Sequence, residues 1–254
     1  MYIAHGLWPH GGLYGGSDPI GWVGRYGPDG DLLDTLADGL DHPSGLAADD
    51  SVLHVLHRRG VTSYALPGGG VSGQVEVRPP VDGPRAICMA PAGTLFVAET
   101  GGRVSRLDPR VGIRSAVPIC ELPDVTALAF DREAGTLYLA TGGSDAAPGR
   151  LWVLGPDDDG PRLLGSARAD FASLVYRGGI LYACTVNASP SDPLAANGEG
   201  VLAVGLDGVL LGAIPYADSI VTPGQVEVLG GDLLFVPESH TGRVVITRLP
   251  TPEL

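Results

Sequence analysis

Six polar positions recur down this chain at nearly constant spacing: Ser17, His57, Glu99, Thr141, Thr185 and Glu238, set 40, 42, 42, 44 and 53 residues apart. The imidazole and two carboxylates in the series are groups that move protons. Histidine titrates near neutrality, and a glutamate in a partly dry cleft drifts up toward the range of a general acid or base. His57, Glu99 and Glu238 are therefore the catalytic candidates of this series. A second series, Ile3, Ser44, Arg85, Thr126, Ala172 and Gln225, carries one charge, Arg85. Its planar guanidinium suits a carboxylate or phosphate held in bidentate fashion. Ser17, Ser44, Thr126, Thr141, Thr185 and Gln225 would line the same site as hydrogen-bonding groups. Each of these residues also has a structural reading, in which a strand-end carboxylate pairs with a nearby arginine or caps a turn.

Both series recur because a larger pattern recurs. Residues 86–109, AICMAPAGTLFVAETGGRVSRLDP, read as three short apolar strands separated by a Pro-Ala-Gly turn and a Gly-Gly turn. The pattern returns about six times with a period of roughly 42 residues, inside the range of propellers and arrays. One small twisted sheet cannot bury both of its faces, whereas radial stacking buries each against its neighbours. The expected fold is all-β: a single domain over 1–254, a six-bladed β-propeller with four-stranded blades. The sixth repeat reaches Pro250–Leu254 where a fourth strand would begin, so the last blade is expected to lack its outer strand. An exposed blade edge of that kind could pair with a second copy.

The repeat Pro-x-Gly-Leu-Ala-x-Asp, a turn, Leu-Tyr-Val-Ala-(Glu/Asp), Gly-Arg-Val and an Asp-Pro turn resembles the NHL, gluconolactonase and strictosidine-synthase-like six-bladed propellers. The resemblance implies that starts of innermost strands and ends of second strands share one mouth of a central channel, which would bring the two series together. It also implies divalent-metal ligands (a Glu, an Asn and an Asp) in the innermost-strand series of the gluconolactonase-like enzymes. None of Ile3, Ser44, Arg85, Thr126, Ala172 and Gln225 is a carboxylate or an Asn, and a hard cation wants several oxygens with carboxylates among them. No metal and no cofactor is therefore expected. The strictosidine-synthase-like enzymes are similar in resting on a Glu without metal.

One position behind the small residue of the innermost strand reads His5, Leu46, Ile87, Leu128, Leu174 and Glu227. Four are large and apolar. The polar pair falls in the first and last repeats, neighbours if a ring closes, so His5 and Glu227 are expected to pair across that seam, as a closure contact or a catalytic dyad. His42, before Pro43 at the entry to the second repeat, and His240, beyond Glu238, are further residues for the mouth. The insertion 186–200 would rise over it.

Composition narrows the classes. Net charge is −13, which disfavours nucleic acid and anionic membrane as partners. All 16 basic residues are arginine, and without lysine a Schiff-base mechanism is excluded. Three cysteines without CxxC spacing fit a reducing compartment, and the N-terminal residues lack the basic and apolar regions of a signal peptide, so a cytoplasmic protein is expected. The leading expectation is an enzyme acting on a small organic molecule by metal-independent general acid/base chemistry: lactone or ester hydrolysis, elimination or ring-forming condensation. The alternatives are a non-catalytic propeller that binds a protein or ligand, and a metal-dependent gluconolactonase-like hydrolase.

Overall fold

The computed structural model describes residues 2–6, 21–27, 31–66, 71–76, 83–110, 116–143, 148–167, 169–186, 200–215, 227–229, 233–237 and 244–248. Every regular element is a β-strand except a single 3-10 turn at Pro91–Gly93. The chain divides into two compact units, Met1–Ile119 and Cys120–Leu254.

In the first unit, β1 (Tyr2–Gly6), β2 (Gly21–Tyr26) and β3 (Leu32–Leu40) form one antiparallel sheet. The second sheet is β4 (Gly45–Ala48), β5 (Val52–His57), β6 (Gly60–Ala65) and β7 (Val71–Glu76). The third is β8 (Pro84–Met89), β9 (Leu95–Glu99), β10 (Arg103–Leu107) and β11 (Val117–Glu121), the last strand running across the division between units.

The second unit continues with β12 (Val125–Asp131), β13 (Thr136–Thr141), β14 (Gly149–Leu154) and β15 (Arg162–Ala167). Next come β16 (Asp170–Arg177), β17 (Ile180–Val186), β18 (Gly200–Gly205) and β19 (Leu210–Pro215). The last sheet is β20 (Glu227–Leu229), β21 (Leu233–Pro237) and β22 (Val244–Arg248).

Four of these six meanders are four-stranded, not all six; the first and last show three strands among the described residues. In the first sheet the strand paired to β1 is Gly21–Tyr26, with Tyr2 opposite Arg25. Arg25 thus takes the pairing place expected for Ser17. GWVGRY offers Trp, Val and Tyr to a pleated surface. Ser17 itself lies outside the described residues.

The middle strands β5, β9 and β13 read as continuous apolar runs because side chains on both of their faces are buried. Along β5, Leu53 and Val55 pack with Val23, Ala37, Leu40 and Tyr64 of the first two sheets. Leu56 turns the other way, to Ile87, Met89, Leu95 and Val97 of the third. In the second unit Phe171, Leu174 and Leu181 pack against Ala140, Leu151 and Val153. Phe171 is 1% exposed, and burying such a ring stabilises by roughly 1.5–3 kcal/mol. The turn after β18 presses on β15 so closely that a Cβ on Gly208 would stand 2.1 Å from the Leu164 carbonyl oxygen, and its φ of +83° also requires glycine.

Candidate functional site

Three innermost strands, β8, β12 and β16, are entered by the same local device. At Arg85, Thr126 and Ala172 the ladder skips one residue, so the position carrying the candidate side chain is the unpaired residue of a β-bulge. Bulges re-aim a side chain at a strand end. Two residues before Ser44, Arg85 and Thr126 the backbone turns left-handed, at His42 (φ 54°), Gly83 (φ 42°) and Asp124 (φ 56°). Glycine does this freely, whereas histidine and aspartate do it at some cost, and such outliers gather at functional sites.

The residues of the innermost-strand series with hydroxyls, Ser44 and Thr126, are engaged within the fold. Ser44 Oγ donates to the Pro84 carbonyl at 3.1 Å, and Thr126 Oγ1 donates to the Phe171 carbonyl with the Ala140 carbonyl at 3.3 Å. Both links run from one sheet to the start of the next.

Four members of the second-strand series lie within the described residues, at or next to strand ends. His57, Glu99 and Thr141 end β5, β9 and β13, Thr185 is one residue from the end of β17, and all four are buried. Each bonds to the third strand of its own sheet or its lead-in turn. His57 Nε2 meets Thr62 Oγ1 at 2.9 Å, and its Nδ1 accepts the Arg59 N–H at 3.3 Å. With Nδ1 accepting, Nε2 carries the proton and donates. Burial pushes the His57 pKa below its usual value, with the Arg59 charge adding and Asp41 opposing. This is a neutral imidazole with both nitrogens occupied.

Glu99 is 4% exposed, and its Oε2 accepts Arg103 Nε at 2.8 Å and Nη2 at 2.7 Å. Thr141 donates to the Arg150 carbonyl at 3.4 Å and accepts from Trp152 Nε1. Thr185 donates to the Gly200 carbonyl at 3.1 Å.

The exposed chemistry of the first unit sits at the entry to β4. His42 Nδ1 lies 2.7 Å from Asp41 Oδ1, and Arg59 Nε reaches Asp41 Oδ2 at 3.2 Å. The His42 side chain is 36% exposed and Asp41 21%. Asp41 is held below the usual carboxylate range, first by the His42 hydrogen bond, then by that from Arg59 and by the charges of His42 and Arg58, against burial. An ionised carboxylate only accepts, so it fixes His42 with its proton on Nδ1 and leaves Nε2 for a ligand.

Asp41 was not among the residues the repeat singles out, because it lies three places before the series position Ser44. The signal that could have found it is local: a carboxylate directly beside a histidine at a strand entry. Arg85, the bulge residue of β8, is exposed on this face.

In the second unit the corresponding entries hold Asp124 and Asp170. The Asp124 carbonyl accepts the Gly142 N–H at 2.9 Å, and an Asp170 carboxylate oxygen accepts the Gly143 N–H. Both carboxylates lie against the same point above Gly142, where a Cβ would stand 2.3 Å from one and 3.4 Å from the other. Among the described residues, no three His, Cys, Asp or Glu side chains converge as metal ligands.

Gln225, Glu238 and His240 lie outside the described residues. His5 and Glu227 fall on β1 and β20, opposite Trp22 and Phe235, and their side chains lie outside the description too. Burial pushes the thiol of Cys88 up, and that of Cys120 up to about 11 with Glu121 adding, so neither supplies a thiolate near neutrality. No helix among the described residues is long and apolar enough to cross a membrane.

No protein-family model matches the chain, and no curated protein matches it. Solved structures do. A gluconolactonase from Xanthomonas campestris is 21% identical, with 90% of this chain and 79% of that one covered and a TM-score of 0.69. A chain of the nidogen–laminin complex is 15% identical over 91% and 87%, with a TM-score of 0.68. The β-propeller domain of Cps50 (Swd1) from Myceliophteria thermophila is 15% identical over 91% of each chain, at 0.60. At these identities what is shared is the fold, an all-β propeller built of antiparallel sheets, and propellers carry unrelated functions.

Proposed function

We propose that the six sheets are the blades of one propeller domain over 1–254, and that the chain is a small-molecule hydrolase acting on a lactone or ester at the innermost-strand entries. The observation that carries the reading is the Asp41–His42 dyad, 2.7 Å long and partly exposed, on a left-handed backbone where a strand begins. His42 Nε2 takes a proton from water as the water oxygen bonds to the carbonyl carbon. The carbon–oxygen bond of the ester or lactone then breaks, and the proton returns to the leaving alkoxide. Asp41 steadies the imidazolium that forms between these steps. Glu99 on the neighbouring β9 is the second acid/base candidate, with Arg103 as its counter-ion. A gluconolactonase with this fold supports the substrate class without establishing it.

The test is hydrolysis of glucono-1,5-lactone followed with a pH indicator, comparing wild type with His42→Gln and Glu99→Gln. Loss of turnover in His42→Gln with an unchanged melting temperature supports the reading. Full activity in both variants overturns it, and activity lost to EDTA and restored by calcium replaces it with a metal-dependent reaction. A second reading, ligand binding without turnover, draws on the hydrogen bonds that His57, Ser44, Thr126, Thr141 and Thr185 spend inside the fold. It predicts no lactone hydrolysis by the wild type.

A further inference from the structure

We infer that His57 is a positioning residue for the Asp41–His42 dyad, acting through the turn at Arg58 and Arg59 that its ring caps. This deepens the proposed function and rests on that reading for the claim that the dyad moves a proton. The arrangement of the dyad is measurable without it.

Asp41 is gripped by the turn that joins β5 to β6. The Arg58 N–H donates to the Asp41 carbonyl at 2.8 Å. Arg59 Nε reaches Asp41 Oδ2 at 3.2 Å, which leaves Oδ1 to His42 Nδ1 at 2.7 Å. Further along, the Ser44 N–H donates to the Leu56 carbonyl at 2.9 Å. His42 and Pro43 thus lie between two bonds to the end of β5 and the residue after it, and proline has no N–H to add a third. Where this turn sits decides where the Asp41 carboxylate points.

The turn does not hold itself. His57 pairs with Gly60 across a two-residue loop, and such loops favour left-handed central residues, because other turns splay the strands. Neither Arg58 nor Arg59 has a positive φ; Gly60 takes it instead, at 141°. His57 supplies the missing tie. Its Nδ1 accepts the Arg59 N–H at 3.3 Å while Nε2 donates to Thr62 Oγ1 at 2.9 Å, so one ring links the turn to β6. The ring is buried, and burial disfavours its protonated form, leaving Nδ1 a lone pair with which to accept. The charged groups that face it are Asp41 and Arg59.

The fold does not ask for this arrangement. At the same place in their own sheets, Glu99 bonds to Arg103, Thr141 to the Arg150 carbonyl and Thr185 to the Gly200 carbonyl, all on third strands. Among the four described members of the series, His57 is the one whose side chain also caps the turn leading to that strand. That turn is the one that grips an acid–histidine pair.

The experiment compares His57→Asn with His57→Gln in the full chain. Asparagine carries its oxygen on Cγ, where histidine carries Nδ1, so it still accepts the Arg59 N–H but falls short of Thr62. Glutamine carries its polar atoms one carbon further out, so it keeps a partner for Thr62 and releases the turn. The tautomer of neutral His42 is read from proton–nitrogen correlation spectra of the imidazoles, its signals assigned by their loss in His42→Gln. The Nδ1–H form is expected in the wild type and in His57→Asn, and a mixture of tautomers in His57→Gln. For glucono-1,5-lactone, kcat should fall about tenfold in His57→Gln with KM unchanged and recover in His57→Asn, because a misplaced proton-transfer group costs rate. A role in packing alone predicts the opposite order, since asparagine empties more of the buried space. An unchanged His42 tautomer in His57→Gln, or as large a change in His57→Asn, overturns the inference. A tautomer that follows the two variants in a protein that hydrolyses no lactone keeps His57 as the anchor of the dyad and removes the hydrolase.

Discussion

The Ser44 hydroxyl donates to the Pro84 carbonyl at 3.1 Å, forty residues away and in the next sheet. Thr126 repeats the contact with the Phe171 carbonyl. In both cases a residue of the innermost-strand series holds the carbonyl immediately before the next residue of its own series, so the side chains that a pocket reading would assign to ligand also join sheet to sheet. A neutral hydrogen bond of this kind contributes about 1 kcal/mol. Ser44→Ala and Thr126→Val are each expected to lower the unfolding free energy by about that amount. The denaturant midpoint at constant slope reads it, and no shift in either variant would mean that these bonds exchange evenly with water.

Glu99 and Arg103 make an unequal pair, with side chains 5% and 41% exposed. Removing one partner leaves the other to its surroundings. Arg103 can regain water, but Glu99 cannot, and an uncompensated buried charge is the costlier outcome. Arg103→Gln is therefore expected to destabilise more than Glu99→Gln, by about 1–2 kcal/mol. Chemical denaturation of the two variants decides it, and the reverse order would place Glu99 in contact with solvent.

How much of this was legible beforehand differs between fold and site. The alternation of short apolar runs with glycine and proline turns placed His57, Glu99, Thr141 and Thr185 at or next to the ends of second strands, because a repeated strand length is set by local pattern. Ser17 lies outside the described residues, and the strand that pairs with β1 is the Trp- and Val-bearing Gly21–Tyr26. What those residues bond to was not legible. Thr62 and Arg103 are five and four positions beyond His57 and Glu99, across a tight turn, and only the register of β6 and β10 turns them back onto their partners. Asp41 was invisible for the opposite reason: it belongs to no repeating column, and its importance comes from one contact with its neighbour.

His54 and His57 tie stability to pH. Burial is the largest cause pushing both below the ordinary 6.5, so the unfolded chain binds their protons first as pH falls. Their contribution is full above about pH 6.5 and is lost as pH drops from there toward the lowered folded values. Asp41 and Asp49 act further down, since hydrogen bonds from His42 and from the Ser51 backbone hold them below the usual 3.8 and their contribution goes as pH falls under it. The urea midpoint is expected to be flat from pH 8 to 7 and to fall between 6.5 and 5, less steeply in His57→Gln. A midpoint constant down to pH 5 would mean that both imidazoles take up protons in the folded state.

The Asp41–His42 contact makes a prediction that a merely structural ion pair would not. Asparagine at 41 keeps the size of the side chain, but its amide presents a donor as well as an acceptor, so the Nδ1–H form of His42 is no longer fixed and the imidazolium loses its counter-charge. Asp41→Asn should therefore lower kcat for lactone hydrolysis by about 10–100-fold, less than His42→Gln, since general-base catalysis is worth roughly 100-fold or more. KM should move little, because Asp41 acts through His42 and not on the substrate. Arg59 is the control: Arg59→Gln removes the other hydrogen bond to Asp41 at 3.2 Å but leaves the His42 contact, so kcat should fall much less than in Asp41→Asn. Equal loss of kcat in Asp41→Asn and Arg59→Gln would show that Asp41 serves to anchor the strand entry, and that the proton is moved elsewhere.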